Sequence, residues 1–241
     1  MAQVTDEVGH AVLVAHGHPS DPEPQEVAMQ ALAASVARQL PGWTIRGVTL
    51  AKAGSLESAL CGLDDPVVYP FFMADGVFTG HVLPERLRQT GKTVRQLPPF
   101  GTDQILPSLI AHAVHDSAIS HGLRPAETKL VIAAHGSKTS STSKHTALEL
   151  TGRLSVLTSF SRIVVGFIEE APFLADAARG DGPGLCLPFF ALRAGHVESD
   201  VPQALAKAGF SGHLLPPIGE HPTGPRLVAD ALARTQQRVA A

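Results

Sequence analysis

The chain repeats itself, and this repeat constrains the fold more than any other feature of the sequence. Within 241 residues, four landmarks occur twice and in the same order. The matched pairs are AVLVAHGHPS (11–20) with LVIAAHGSKT (130–139), PFF (70–72) with PFF (188–190), His81 with His196, and LPPFGTDQILPSLIAHAV (97–114) with LPPIGEHPTGPRLVADAL (215–232). Ordered repetition of this kind indicates a duplicated unit. We therefore predict two homologous domains, 1–122 and 123–241.

Each half alternates short apolar runs with segments of helical periodicity. Continuous apolar runs are typical of parallel strands that are covered on both faces. The predicted strands are AVLVA, VTLA, VVYPFF and TVRQL in the first half, and LVIAA, RIVVGFI, GLCLPFF and HLLPP in the second. Helices are predicted near 24–40, 103–119, 148–157 and 223–239. Strands that alternate with helices predict an α/β fold in each half, with a parallel sheet flanked by helices.

Two histidines in each half follow predicted strands. His16 and His135 stand at the tip of the first strand of their halves, and His81 and His196 lie in the loop after PFF. Ligands of open α/β sheets bind beyond the carboxyl ends of the strands. Imidazole nitrogens bind divalent iron, cobalt, nickel and zinc. The pattern predicts a metal-binding histidine pair at this edge of each sheet, although a single histidine before glycine can simply hold a turn.

A carboxylate accompanies the second histidine pair only. RIVVGFIEEAP is a predicted strand that ends at Glu169 and Glu170. When the glycines of the two matching strands are aligned, Leu50 and Ala51 stand opposite these glutamates. One of the two glutamates is expected to reach the same edge as the histidines, so the second half is expected to hold the more complete site. A solvated pair of glutamates is the alternative.

The sequence disfavours several classes of function. A net charge of −3 provides no basic face for nucleic acid, and no apolar run approaches the ~20 residues that span a membrane. The two cysteines lie far apart and form neither a disulfide framework nor a zinc knuckle. No GxxxxGK[ST] or GxGxxG loop occurs, so no nucleotide cofactor is expected. The acidic start before a short apolar run predicts a cytoplasmic protein.

Together the motifs resemble those of the sirohydrochlorin chelatases of the CbiX/SirB type, within the class II chelatases. The second half carries AAHGSK, GFIEEAPFLAD and LPFFALRAGHVESDVPQAL, and the first carries VAHGHPSDP and YPFFMADGVFTGHVLPERL. The first half departs from the family pattern in three ways: His18 replaces the usual serine, the loop before His81 is longer, and nothing matches Glu169. The resemblance covers essentially the whole chain. It implies two flavodoxin-like domains that face each other across a cleft holding the tetrapyrrole.

The resemblance also implies a function and a set of site residues. Chelatases of this type insert cobalt or ferrous iron into a tetrapyrrole without ATP, in cobalamin or siroheme biosynthesis. The metal-binding histidines of the family map onto His135 and His196, with His16 and His81 as their counterparts and Glu169 as a further catalytic candidate. No cofactor is implied beyond the metal substrate, which is cobalt, iron or nickel. A duplicated chain is compatible with a monomer, and a homodimer stays open, as does the choice of working half.

Other interpretations stay open at this point. One of them is a carrier of metal or tetrapyrrole that has the same fold but does not catalyse turnover. The absence of the glutamate from the first half is compatible with such a carrier. A phosphohydrolase would use His16 or His135 as its nucleophile, but such enzymes place arginine before the histidine, where this chain has Ala15 and Ala134. The phenylalanines of PFF are predicted to pack in the core, with a flat wall for a planar ligand as the alternative.

Overall fold

Two four-stranded parallel sheets form the frame of the protein, which a computed structural model describes over residues 9–237. The strands of the first sheet are β1 (His10–Ala15), β2 (Thr44–Thr49), β3 (Val67–Pro70) and β4 (Arg95–Gln96). Those of the second sheet are β5 (Lys129–Ala134), β6 (Arg162–Phe167), β7 (Gly184–Pro188) and β8 (His213–Leu214). The strand orders are β2-β1-β3-β4 and β6-β5-β7-β8. Both sheets therefore have the same topology.

Helices connect the strands, as the alternating sequence pattern predicts. They are α1 (Glu23–Ala37), α2 (Ser55–Leu60), α3 (Leu83–Gln89), α4 (Leu106–Ser120), α5 (Thr142–Leu157), α6 (Leu174–Ala177), α7 (Val201–Ala208) and α8 (Gly224–Gln237). A π-helical turn precedes α3 at Phe78–Val82, and another precedes α7 at His196–Asp200. The predicted α/β fold with two repeated parallel sheets is confirmed. Among the described residues, none of the helices has the length and apolar character needed to cross a bilayer.

The central strands of the two sheets are buried along almost their whole length. In β1 every residue after His10 is buried, and in β5 all six residues are buried. Side chains of β1 pack against α2 and α3, and those of β5 pack against α6 and α7. Cover on both faces explains the continuous apolar runs in the sequence. Polar side chains that are not covered by helices therefore first occur just beyond the carboxyl ends of β1 and β5.

The chain divides into two compact units that exchange their last helices. Among residues 9–237, one unit comprises the residues up to Phe72, Val77–Phe100 and the residues from Pro222 onward, and the other comprises Met73–Gly76 and Gly101–His221. The first unit thus holds the first sheet with α8, and the second unit holds the second sheet with α4. The sequence division into 1–122 and 123–241 separates the two repeats. As a pair of domain boundaries it stays a prediction.

A spacing of 118 positions relates several matching elements of the two halves from β2 onward. The first residues of β2 and β6, Thr44 and Arg162, are 118 positions apart, and so are the first residues of the two π-helical turns, Phe78 and His196. The same spacing separates α3 from α7 and α4 from α8. This register differs from the sequence alignment, which pairs His196 with His81. In the structure the equivalent of His196 is Phe78.

Candidate metal centre

His135 and His196 come together at the carboxyl edge of the second sheet. His135 directly follows β5, and His196 opens the π-helical turn after the neighbouring strand β7. Their Nε2 atoms lie 3.0 Å apart, and their rings meet nearly at right angles, with centroids 4.5 Å apart and an interplanar angle of 88°. Neighbouring parallel strands end at the same edge of a sheet, which is why residues this far apart in sequence meet.

Each of these imidazoles is held through Nδ1, which leaves Nε2 facing the other ring. Nδ1 of His135 lies 2.8 Å from the carbonyl oxygen of Gly136, and Nδ1 of His196 lies 2.6 Å from Oδ2 of Asp200. A carbonyl or carboxylate oxygen accepts hydrogen bonds, so each Nδ1 carries the hydrogen and donates. Each Nε2 of a neutral ring therefore presents a lone pair.

Two facing lone pairs make this a site for a cation. At a separation of 3.0 Å the two Nε2 atoms repel each other unless a positive charge is shared between them. Two nitrogens bound at ~2.1 Å to one ion, at a right angle, would lie roughly 3.0 Å apart. The pair thus has the spacing of two neighbouring ligands of a first-row divalent metal. Both side chains are partly open to solvent, so an ion has access.

Asp200 is a site residue that the sequence reasoning missed. It stands four residues after His196 and immediately before α7, and both side chains are 42% exposed. A carboxylate that accepts the Nδ1–H bond fixes the orientation of a ligating imidazole and makes its other nitrogen more basic. The signal in the sequence is the i, i+4 spacing within HVESD, which brings two side chains together on one helical face.

Glu169 lies beside the histidine pair. Its backbone N–H donates to the carbonyl of His135 at 3.0 Å, and its carboxylate pairs with the ammonium of Lys138 at 2.8 Å. The hydrogen bond from Lys138 lowers the pKa of Glu169, with smaller contributions from His135 and His196. Within residues 9–237, no group of three or more His, Cys, Asp or Glu side chains is placed to hold an ion. Glu169 is thus an ionised neighbour of the pair, whose negative charge favours a dication there.

Glu170 fixes the loop that follows His135. Its Oε1 accepts a hydrogen bond from the backbone N–H of Ser137 at 2.9 Å, and its Oε2 pairs with Lys144 at 3.1 Å. The bond from Ser137 and then the lysine hold the pKa of Glu170 below its ordinary value. Gly136 has a φ of +72°, and a Cβ built there would lie 2.9 Å from Cγ of Glu170. The glycine of HGS is therefore required by both its backbone conformation and this close approach.

The first sheet carries a phenylalanine where the second carries His196. His16 follows β1, and its Nδ1 donates to the carbonyl of Gly17 at 2.7 Å, as His135 does to its own neighbour. The ring of His16 meets Phe78 edge-on, with centroids 4.2 Å apart and an interplanar angle of 76°. His81 is exposed, and in residues 9–237 no hydrogen bond, ion pair or ring contact joins it to His16. Metal binding by His16 and His81 stays a prediction without a contact to support it.

Backbone hydrogen bonds identify the residues of the first half that are equivalent to the two glutamates of the second half. The backbone N–H of Ala51 donates to the carbonyl of His16 at 2.9 Å, as that of Glu169 does to His135 at 3.0 Å. Ala51 is therefore the equivalent of Glu169, and a lysine follows it where the second half has its second glutamate. This register is one position later than the alignment on the strand glycines. The expected absence of a carboxylate from this place in the first half holds in either register.

Comparisons with known proteins identify relatives that cover nearly the full length of this chain. A family model described as CbiX matches residues 129–235. Among solved structures, CbiX, described as the terminal enzyme for biosynthesis of siroheme in denitrifying bacteria, is 43% identical with a TM-score of 0.85. That match covers 94% of this chain and 98% of the other. A search of curated proteins gave no match.

Two structures of SirB share the fold at lower identity. SirB from Bacillus subtilis with Fe3+ is 18% identical with a TM-score of 0.72, and the match covers 94% of this chain and 95% of that one. The sirohydrochlorin chelatase SirB from Bacillus subtilis subspecies spizizenii, in complex with cobalt, is 16% identical with a TM-score of 0.67 and the same coverage. Since the 43% identity with CbiX extends over nearly the full length of both proteins, the resemblance read from the motifs is confirmed, and this chain belongs to the CbiX family.

Proposed function

We propose that the protein is a chelatase that inserts cobalt or ferrous iron into sirohydrochlorin or a related tetrapyrrole, in siroheme or cobalamin biosynthesis. The observation that carries this proposal is the pair of facing Nε2 atoms of His135 and His196, 3.0 Å apart at an open sheet edge. The 43% identical CbiX of siroheme biosynthesis supports the reaction, and the SirB structures with Fe3+ and cobalt support the metals. Nickel is a third candidate, because imidazole binds all three ions.

Two imidazoles suit a metal that must be delivered rather than kept. A set of thiolates would hold such an ion far more tightly. Of the two cysteines, Cys61 is exposed and Cys186 is buried, and burial raises the pKa of the Cys186 thiol to about 12. With two protein ligands, the other coordination positions stay open, first for water and then for the ring nitrogens of the macrocycle. As ring nitrogens bind the ion, the imidazoles are displaced one after the other.

Insertion also releases two protons, one from each pyrrole N–H, and the site must accept them. Once the metal has moved to the ring, Nε2 of His135 and Nε2 of His196 are free bases beside it. Asp200 stabilises the imidazolium that His196 becomes, through its charge-assisted bond to Nδ1. Glu169 is held ionised by Lys138, so its main contribution is the charge that attracts the dication. It is a weaker proton acceptor than an imidazole.

The test is anaerobic absorption spectroscopy with protein at far lower concentration than sirohydrochlorin and cobalt(II), ferrous iron or nickel(II). We expect accelerated insertion over many turnovers, lost in His135→Ala and His196→Ala. His112→Ala is the matched control, because His112 is an exposed histidine on α4 whose Nδ1 donates to its own helix. Macrocycle binding without faster insertion would identify a carrier instead. Cleavage of a phosphate ester in place of insertion would identify the phosphohydrolase.

A further inference from the structure

We propose that Phe78 replaces the second metal ligand in the first unit. Each chain then loads one metal ion, at His135 and His196, and the first unit offers an aromatic surface to the flat macrocycle. The number of bound metal ions depends only on the ligating side chains of the two units. The aromatic contact rests on the proposed function, because it takes the macrocycle as its ligand.

The position of Phe78 is that of His196. Each residue opens a π-helical turn that follows the third strand of its unit and leads directly into a helix. The two are 118 positions apart, as are Pro70 and Pro188 at the ends of the preceding strands. The contact of Phe78 with His16, at 4.2 Å and 76°, closely matches the contact of His196 with His135, at 4.5 Å and 88°. A ring without nitrogen thus stands where the second unit presents a lone pair.

The groups that serve His196 are missing around Phe78 as well. Val82 ends the first π-helical turn where Asp200 ends the second, so the position that holds the orienting carboxylate in the second unit holds an aliphatic side chain in the first. Ala51 takes the place of Glu169, as the shared backbone hydrogen bond shows. The metal ligand, the carboxylate that orients it and the neighbouring charge of the second unit are therefore all replaced at the matching positions of the first unit. This concerted difference points to a site that no longer holds a metal.

The side chains that remain form an exposed apolar surface at the same edge. Phe72 and Phe78 lie nearly parallel, with centroids 6.2 Å apart and an interplanar angle of 20°. Phe78 is 41% exposed, and its neighbour Val77 is 55% exposed. In open α/β sheets the carboxyl edge is where ligands bind, and aromatic rings stack on flat conjugated surfaces. The occupant that fits such a pair is the face of the macrocycle.

Counting metal ions tests the first part of the proposal. Metal-free protein is titrated anaerobically with cobalt(II), and binding is followed by calorimetry. We expect one ion per chain in the wild type, one in His16→Ala and none in His196→Ala. Phe78→His combined with Val82→Asp should raise the count to two. Two ions in the wild type, one of which is lost in His16→Ala, would overturn the proposal.

Binding of metal-free sirohydrochlorin tests the second part without requiring turnover. Phe78→Ala should weaken the affinity roughly tenfold, whereas Phe78→Trp should preserve it. Leu157→Ala, at an exposed apolar residue that ends α5, serves as the control and should bind like the wild type. Equal affinity in Phe78→Ala and the wild type would refute the aromatic contact. If the wild type itself does not bind the macrocycle, the proposed function fails along with this contact, and the metal count still stands as a separate result.

Discussion

Replacing Asp200 by alanine distinguishes a metal site from two histidines that merely hold turns. In the structure Asp200 accepts a hydrogen bond of 2.6 Å from Nδ1 of His196. If His196 only stabilises its loop, the loss of this bond affects folding and nothing else. If His196 binds metal, the loss also frees the ring to rotate and lowers the basicity of Nε2.

The expected size of the effect follows from the exposure of the pair. Removal of a carboxylate that orients a metal-bound histidine typically costs 10- to 100-fold in metal affinity or activity. Asp200 and His196 are each 42% exposed, so solvent screens their interaction. We therefore expect the lower end of that range, about tenfold in cobalt affinity, or ~1.4 kcal/mol. Asp200→Asn retains an acceptor for Nδ1 and should show a smaller loss.

The assay is cobalt(II) calorimetry without macrocycle, together with insertion kinetics at saturating sirohydrochlorin. Glu198→Ala is the matched control, because Glu198 is an exposed acidic residue in the same π-helical turn. Urea unfolding of each variant measures the structural cost separately. Unchanged cobalt affinity in Asp200→Ala, with affinity lost in His196→Ala, would show that the carboxylate does not orient the ligand. Unchanged affinity in both variants would refute the metal site itself.

Three further predictions concern stability and reactivity. Gly136→Ala should lower the free energy of unfolding by about 1–3 kcal/mol more than Gly91→Ala in urea unfolding. Both glycines have positive φ, so the backbone cost is shared, but of the two only Gly136 has neighbours within 4 Å of a built Cβ. Glu170→Gln should be less stable than the wild type near neutral pH. Hydrogen bonds lower the pKa of Glu170 in the folded state. The contribution of its carboxylate to the free energy of unfolding is therefore present above the ordinary pKa of 4.5 and is lost as the pH falls through the lowered pKa. The unfolding curves of the two proteins should accordingly converge in acid. At mildly alkaline pH a thiol reagent should modify Cys61 alone in the native protein and both cysteines after denaturation, since Cys186 is buried with a pKa raised to about 12.

The sequence predicts the sheets well because strands that are buried on both faces consist of continuous apolar runs. The runs AVLVA and LVIAA coincide with the buried parts of β1 and β5. It also predicts that His135 and His196 approach each other, because residues that follow neighbouring parallel strands must lie at one edge. The sequence does not predict that α4 belongs to the second unit and α8 to the first, because the apolar face of a helix does not specify which sheet it covers.

The pairing of His81 with His196 shows why identical residues can mislead an alignment. Both halves have a histidine shortly after PFF, and matching the letters requires three extra residues in the first loop. The structure has no such insertion before the π-helical turn, because that turn and the helix after it keep a constant register with the strands. His81 is therefore placed three residues further along the turn, opposite Ser199 rather than His196. Which residues of the two halves are structurally equivalent is therefore determined by the backbone register, and the buried elements set that register.

The stoichiometry of the proposed reaction explains why one copy of the site is free to change. A tetrapyrrole takes up one metal ion, so a second loaded histidine pair adds nothing to a turnover. Once a phenylalanine stands at position 78, a carboxylate at position 82 has no imidazole to orient, and a glutamate at position 51 has no cation to attract. Their loss then costs nothing in metal binding. His16 keeps its bond to Gly17 because that bond holds the turn after β1, whether or not a metal is present. This accounts for a first unit in which one histidine matches its counterpart closely while the partners around it do not.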